Sequence, residues 1–252
     1  MKHILTILLA IGLYLTSCTP HEMTPFEDDA AIYFHRNTTN RGLWQADSIK
    51  HSFFILPLDQ MQDTVWIRVN AMGHTSASPR PFAITQTNVD STNAAVSGTH
   101  FVPLDHPWIK QHMVIPANEV FADIPIILLK DPSLNYVDEV RIELSVIENE
   151  HFIPGIGLQQ TFLVGTTVQA VKPALWDAPA GWGSNHLFGS TFGPVKFRFI
   201  MDVTGITDWS TIPADLSYAG YLRGLVQAAL ARYNLENPGN ELKEHNGDRV
   251  VI

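Results

Sequence analysis

The chain has 252 residues, of which 45% are apolar and 16% charged, and its 16 Lys and Arg against 25 Asp and Glu leave a formal net charge of −9. Charged residues fall below the roughly 25% of an ordinary soluble domain, so the chain can bury a sizeable core and does not have the composition of a disordered one. The acidic balance excludes a basic nucleic-acid surface, and a single cysteine excludes an internal disulfide framework or a Cys-based metal cluster.

Met1-Lys2-His3 supplies a positive start, and Ile4 to Leu15 is an apolar run broken only by Thr6 and Gly12. At about 1.5 Å per residue it spans roughly 18 Å as a helix, short of a bilayer crossing, and residues 1–17 read as a signal peptide. Leu15-Thr16-Ser17-Cys18 follows and resembles the bacterial lipobox, which implies acylation of Cys18 and cleavage before it. Several acyl chains on one terminus are what stable attachment to a membrane requires. Residues 18–30 carry Pro20, Pro25, Glu22, Glu27, Asp28 and Asp29 and read as a lipidated tether.

From residue 31 to 171 apolar residues alternate with polar ones in short runs separated by turn formers, which predicts an Ig-like antiparallel β-sandwich. Ile32-Tyr33-Phe34 opens it. Val65, Ile67, Val69 and Ala71 share one face of a strand whose other face carries Trp66, Arg68 and Asn70. Val120 to Leu128 and Val140 to Val146 alternate in the same way, and Ser52 to Leu56, Pro81 to Thr87, His112 to Ile115 and Leu158 to Val168 are further strand candidates. Pro125, inside a strand pattern, marks an edge or a bulge because it cannot donate to a ladder. Near Lys172 the composition shifts to Pro and Gly, and residues 172–252 read as a smaller α+β unit. There Val195 to Val203 alternates like a strand, one helix is predicted near 215–233 with Asp215 as its cap, and Val250-Val251-Ile252 is a candidate terminal strand.

Gly98-Thr99-His100-Phe101, then Ile115-Pro116-Ala117, Ile124-Pro125-Ile126 and Val140 to Leu144, follow in an order that resembles the Calx-beta type of sandwich. Together with the lipobox, Arg80 to Ile84, Pro173 to Trp176 and Phe192 to Phe199, the chain from about residue 30 onward resembles a Bacteroidetes lipoprotein family of unknown function. That resemblance implies a membrane-anchored place in the cell envelope, the outer membrane in the first instance, and a role beside outer-membrane glycan-uptake systems. It carries no established activity. Calx-beta domains that hold calcium do so with carboxylates from adjoining loops; the corresponding stretch here has Asp131, Asp138 and Glu139, fewer than the six to eight oxygen ligands calcium takes.

No Gly-x-Ser-x-Gly elbow, phosphate loop, dinucleotide fingerprint or His-Glu-x-x-His helix is present, so no catalytic residue is assigned, no cofactor is implied and the chain reads as a non-enzyme. His100, His106 and His112 repeat at six-residue intervals, but Pro103 and Pro107 interrupt any shared strand, and no metal site is assigned. Asp47-Ser48, Asp63-Thr64 and Asp90-Ser91 look like short O-glycosylation acceptors of this lineage. Carboxylate pairs such as Glu148 with Glu150 do not stand out from solvent-facing charge. The tryptophans carry more information, because sugars offer apolar C–H faces that stack on exposed rings. Trp66 lies on the polar side of its strand, and Trp108 in a Pro-rich turn. Trp176 and Trp182, amid Pro and Gly, with Asn185 and His186 nearby, are the glycan-binding candidates. The expected function is that of an accessory glycan-binding module in polysaccharide uptake; the alternative is a structural or assembly lipoprotein that docks onto an outer-membrane transporter.

Overall fold

A computed structural model of the protein describes residues 30–38, 45–155, 157–173, 176, 187–209, 212–213 and 215–252. Residues 1–29, on which the expected signal peptide, Cys18 and most of the expected tether fall, lie outside these residues, as do Trp182, Asn185 and His186. Strands β1 (Ala31–Phe34), β2 (Asn37–Thr38), β3 (Gln45–Ala46), β4 (Ser48–Ser52) and β5 (Gln62–Met72) come first. β6 (Arg80–Pro81), β7 (Ala83–Gln86), helix α1 (Pro107–Lys110), β8 (Val114–Ile115) and β9 (Phe121–Leu129) follow. β10 (Val140–Ile147), β11 (Ile153–Pro154) and β12 (Thr161–Thr167) complete the sheets, and helices α2 (Pro194–Thr204) and α3 (Leu216–Glu236) come last.

The strands form two four-stranded sheets, ordered β11-β1-β5-β9 and β4-β12-β10-β7. Pairing is antiparallel except at one rim of each sheet, where β11 runs parallel to β1 and β4 parallel to β12. Their inner faces share one core, in which Ile67, Val69, Ile124, Ile126 and Leu128 of one sheet meet Ile142, Leu144, Val146, Phe162 and Val164 of the other. The protein is thus mainly β, a sandwich built on the period-two pattern, because a strand with one dry face must put every second side chain into it. Pro125 lies in β9, at the end of its sheet order. Ile127 O and Leu129 N point away from β5 to Val102 N and His100 O. The two-residue repeat puts Pro125 N on that same outer side, where its missing N–H breaks no pairing with β5.

Three expected strands are shorter or different. Ser52 Oγ accepts from Phe54 N and starts a 3₁₀ turn at Phe53–Ile55, which ends β4 instead of extending it. Only Val114–Ile115 of the His112 segment pairs, as β8 with β6, and residues 157–160 form a 3₁₀ turn before β12.

Beyond the sheets, a second apolar cluster forms from Trp176, Phe188, Phe197, Ile200, Met201, Trp209, Leu222 and Val226, with Phe54 and Ile55 packed against it. Here the expected strand at Val195 to Val203 is the helix α2. Its buried residues Phe197, Ile200 and Met201 sit at helical spacing, so the sequence satisfies both periods. Pro194 opens the helix and Gly205, at φ 71°, closes it in the left-handed region. The one predicted helix is α3, capped by Asp215 accepting from Tyr218 N at 2.8 Å and ended at Asn237. Val250 to Ile252 do not form a strand; Val250 N donates to Leu242 O and Lys243 pairs with Arg249 as an isolated bridge. Among the described residues the C-terminal part is helical, and no helix is long and apolar enough to cross a membrane.

Candidate functional site

On β5 the even-numbered residues face out, and Trp66 among them is 50% exposed. Its partner across the ladder is Pro125. Beside them lies α1, a single turn whose position follows from three local features. His106 Nδ1 accepts from Trp108 N, Pro107 occupies the first helical position, and Ile109 is fully buried. Anchoring Ile109 leaves Trp108 outside, 39% exposed. His112 Nδ1 donates to Trp108 O at 2.9 Å, which leaves Nε2 of the neutral ring as an acceptor.

The three rings form one cluster. Trp66 and Trp108 meet edge to face with centroids 6.2 Å apart, and His112 lies 5.4 Å from Trp66 and 4.8 Å from Trp108. One step along β5, Arg68 donates through Nε and Nη2 to the two carboxylate oxygens of Asp123 at 2.8 and 2.9 Å. That bidentate bond raises the Arg68 pKa and lowers that of Asp123. Phe121 lies over the guanidinium at 4.2 Å. One step further, Asn70 Nδ2 donates to His35 Nδ1 at 3.1 Å. β1 ends at Phe34, so the first half of β5 has an open flank. A cavity of about 330 Å³ occupies it, lined by His35, Ser48, Trp66, Arg68, Asp123 and Phe162 among others. From Trp66 to Asn70 the platform runs roughly 13 Å at the rise of a strand, enough for a short oligosaccharide. Chemically it offers ring faces to apolar C–H surfaces and single hydrogen-bonding groups to hydroxyls.

Trp176, the described member of the pair singled out by sequence, is in a different setting. It is 2% exposed and stacks on Trp209 at 5.1 Å, with Phe192 and Phe197 against its edges. Lys196 Nζ lies 5.4 Å from its ring; that lysine is itself buried, donates to Thr191 O, and burial pulls its pKa down to about 8. Protein covers Trp176, so it is not offered to a sugar. Pro and Gly around a tryptophan signal a turn, but they do not reveal that Phe192, Phe197 and Trp209 converge on it. The signal that does point to the platform is the place of Trp66 on the polar side of its strand.

The spaced histidines do different work. His100 is buried and bonded to Val96 N and Ser133 Oγ, while His106 caps α1 and His112 joins the tryptophans. Asp131 accepts from Ser133, Glu139 pairs with Lys50 and Arg141 at 2.6 Å, and Asp138 offers its carbonyl to Thr167. These three acids are occupied separately, and among the described residues no three His, Cys, Asp or Glu side chains gather to hold a metal. Of the acceptor-like motifs, Asp63 is bonded to Thr64 N and His51 Nε2, whereas Asp90-Ser91 sits in an exposed turn. Glu150 lies 3.5 Å from His151 at the surface. A larger open cleft of about 790 Å³ runs beside β7, with Asp105 and Lys110 as its only charged lining. It gathers no exposed tryptophan.

Among solved structures, the chain is similar to the apo-form Calx CBD1 domain, at 11% identity and a TM-score of 0.32, over 56% of this chain and 97% of that one. It is also similar to a candidate carbohydrate-binding protein from Bacteroides ovatus, at 14% identity and a TM-score of 0.34, over 54% of this chain and 36% of that one. A protein of unknown function from Bacteroides ovatus matches at 15% identity and a TM-score of 0.33, over 54% of this chain and 44% of that one. No curated protein matches the sequence. A family match covers residues 26–206, across the expected junction at residue 172 and through α2, and the chain belongs to that family, DUF4843, a domain of unknown function.

Proposed function

We propose that the protein is a non-catalytic glycan-binding module of an envelope lipoprotein, held at the outer membrane through acylated Cys18 and serving polysaccharide capture. The observation that carries the reading is the exposed Trp66–Trp108 pair, which leaves two large aromatic surfaces in water beside a row of hydrogen-bonding side chains. Exposing that much ring has a cost unless a ligand covers it, and pyranose C–H faces suit it because tryptophan orders at low entropic cost. In affinity electrophoresis of the full-length chain in mild detergent against a polysaccharide panel, at least one glycan should retard the protein. Trp66→Ala or Trp108→Ala should weaken that retardation about tenfold, the usual loss for an aromatic anchor. Cys18→Ser should leave retardation unchanged while releasing the chain from the membrane fraction. No retardation by any glycan would overturn the reading.

A second reading, docking onto an outer-membrane transporter, is favoured by the outer side of α3. Leu216, Tyr218, Tyr221 and Leu225 are exposed there, and Tyr218 stacks on Tyr221 at 6.2 Å. Under this reading a stoichiometric protein partner co-purifies from solubilised envelopes and is lost with Tyr221→Glu.

A further inference from the structure

Resting on the glycan reading above, we infer that the Trp66–Trp108 platform selects uncharged glycans, and that the Arg68–Asp123 pair is the element that turns anionic ones away. The argument begins with the register. The outward row of β5 carries Thr64, Trp66, Arg68 and Asn70, and opposite them on β9 stand Ile127, Pro125, Asp123 and Phe121. Arg68 and Asp123 are the only charged side chains in these rows, and they face each other, so the formal charge of the platform cancels.

An arginine free to read a uronate or a sulfate would present its fork of N–H donors to two oxygens of the ligand. Here the Nε–Nη2 edge of that fork is already closed, and the carboxylate on it neutralises the charge of the rest. Nε and Nη2 hold both oxygens of Asp123, and the Phe121 ring covers one face of the guanidinium. An anionic sugar stacked on Trp66 must either displace the carboxylate from its arginine or lie beside it as a like charge. Lys110 of α1 lines the other cleft, and the formal charge of the whole chain is −9, so no wider positive field offsets this. A neutral sugar meets no such obstacle. Its hydroxyls need single donors and acceptors, which Asn70, His35 and the free Nε2 of His112 supply.

The test is affinity electrophoresis of the full-length chain in mild detergent at pH 8, above the ordinary imidazole range. Neutral glucans, mannans and xylans are run against polygalacturonate and a sulfated galactan. A neutral glycan should retard the wild type and the anionic ones should not. Asp123→Asn, which leaves the guanidinium uncompensated, should gain about fivefold in retardation by an anionic polymer relative to a neutral one, a gain that 0.5 M salt removes. A charge-swapped double variant, Arg68→Asp with Asp123→Arg, restores the cancellation and should lose the anionic gain; it also guards against a misfolded single variant. Retardation of the wild type by the anionic polymers at least as strong as by the neutral ones would overturn the selectivity while leaving glycan binding intact. Failure of Asp123→Asn to gain anionic affinity, with its melting temperature unchanged, would remove the pair from the role. Silence from every glycan would overturn the glycan reading, and this inference with it.

Discussion

His100 illustrates how one buried side chain sets a pH limit on the fold. Val96 N donates to its Nδ1 at 2.9 Å, so that nitrogen carries no proton and Nε2 must. Nε2 then donates to Ser133 Oγ at 2.8 Å, and Ser133 Oγ donates to Asp131 Oδ1 at 2.6 Å. The chain of bonds ties the loop before Phe101 to the loop after β9, and it works only while the imidazole is neutral. Burial accordingly lowers the His100 pKa below its ordinary 6.5, against a smaller opposite pull from Asp131. With the folded value depressed, the unfolded chain binds more protons in the interval below 6.5. This contribution is complete above that pH and is lost as pH falls from 6.5 toward the folded value. The melting temperature should therefore drop between pH 7 and pH 5, and His100→Asn should flatten that part of the profile. Ser133→Ala leaves the buried Nε2–H without its acceptor and should cost about 1–3 kcal/mol in urea denaturation at pH 7.

At the scale of elements, the strands were legible where burial is one-sided. Val65, Ile67 and Val69 alternate with Trp66, Arg68 and Asn70 because the first set has a core to face and the second has water, and that same alternation placed Trp66 on the outer surface. α2 was not legible from its own residues. Val195, Phe197, Phe199, Met201 and Val203 fit a strand, and the deciding group is remote: Glu244 accepts from Val195 N at 3.0 Å and Lys196 N at 2.9 Å. A carboxylate at a helix N-terminus satisfies two of its orphan N–H groups and complements its dipole. No window of local sequence contains a cap some fifty residues away. The setting of Trp176 is hidden from local sequence for a related reason, since its burial depends on Phe197 and Trp209 arriving from other segments. Gly193 makes room for the cap: a Cβ there would lie 2.2 Å from the Glu244 carboxyl carbon. Glu244→Ala should lower stability by about 1–2 kcal/mol, and Gly193→Ala should reproduce that loss in wild type but add little to Glu244→Ala. Additive losses in urea denaturation would show that the two positions act independently.

At the scale of the whole molecule, the question is how a sheet core and a helical cluster share one chain. Three consecutive residues answer it. Phe53 is buried in the sandwich core, whereas Phe54 and Ile55 pack against the helical cluster. The short 3₁₀ turn begun by Ser52 makes this possible, because it turns successive side chains to different sides. Phe54 stacks on Phe197 at 5.9 Å, the Arg198 guanidinium lies 4.4 Å above its ring, and the same arginine donates to Phe54 O. The contact thus couples α2 to the end of β4 through one ring and one carbonyl. Phe54→Ala removes the ring and keeps the carbonyl, so it should weaken the helical cluster by about 1–3 kcal/mol while sparing the sandwich. Trp176 and Trp209 are buried in that cluster, and their emission reports its opening; far-ultraviolet circular dichroism near the strand minimum reports the sheets. The wild type should lose both signals together. In Phe54→Ala the emission should shift to the red at lower urea than the strand signal falls. If the two transitions instead stay superimposed and move equally, the ring stabilises the chain as one unit and the junction does not divide at Phe54.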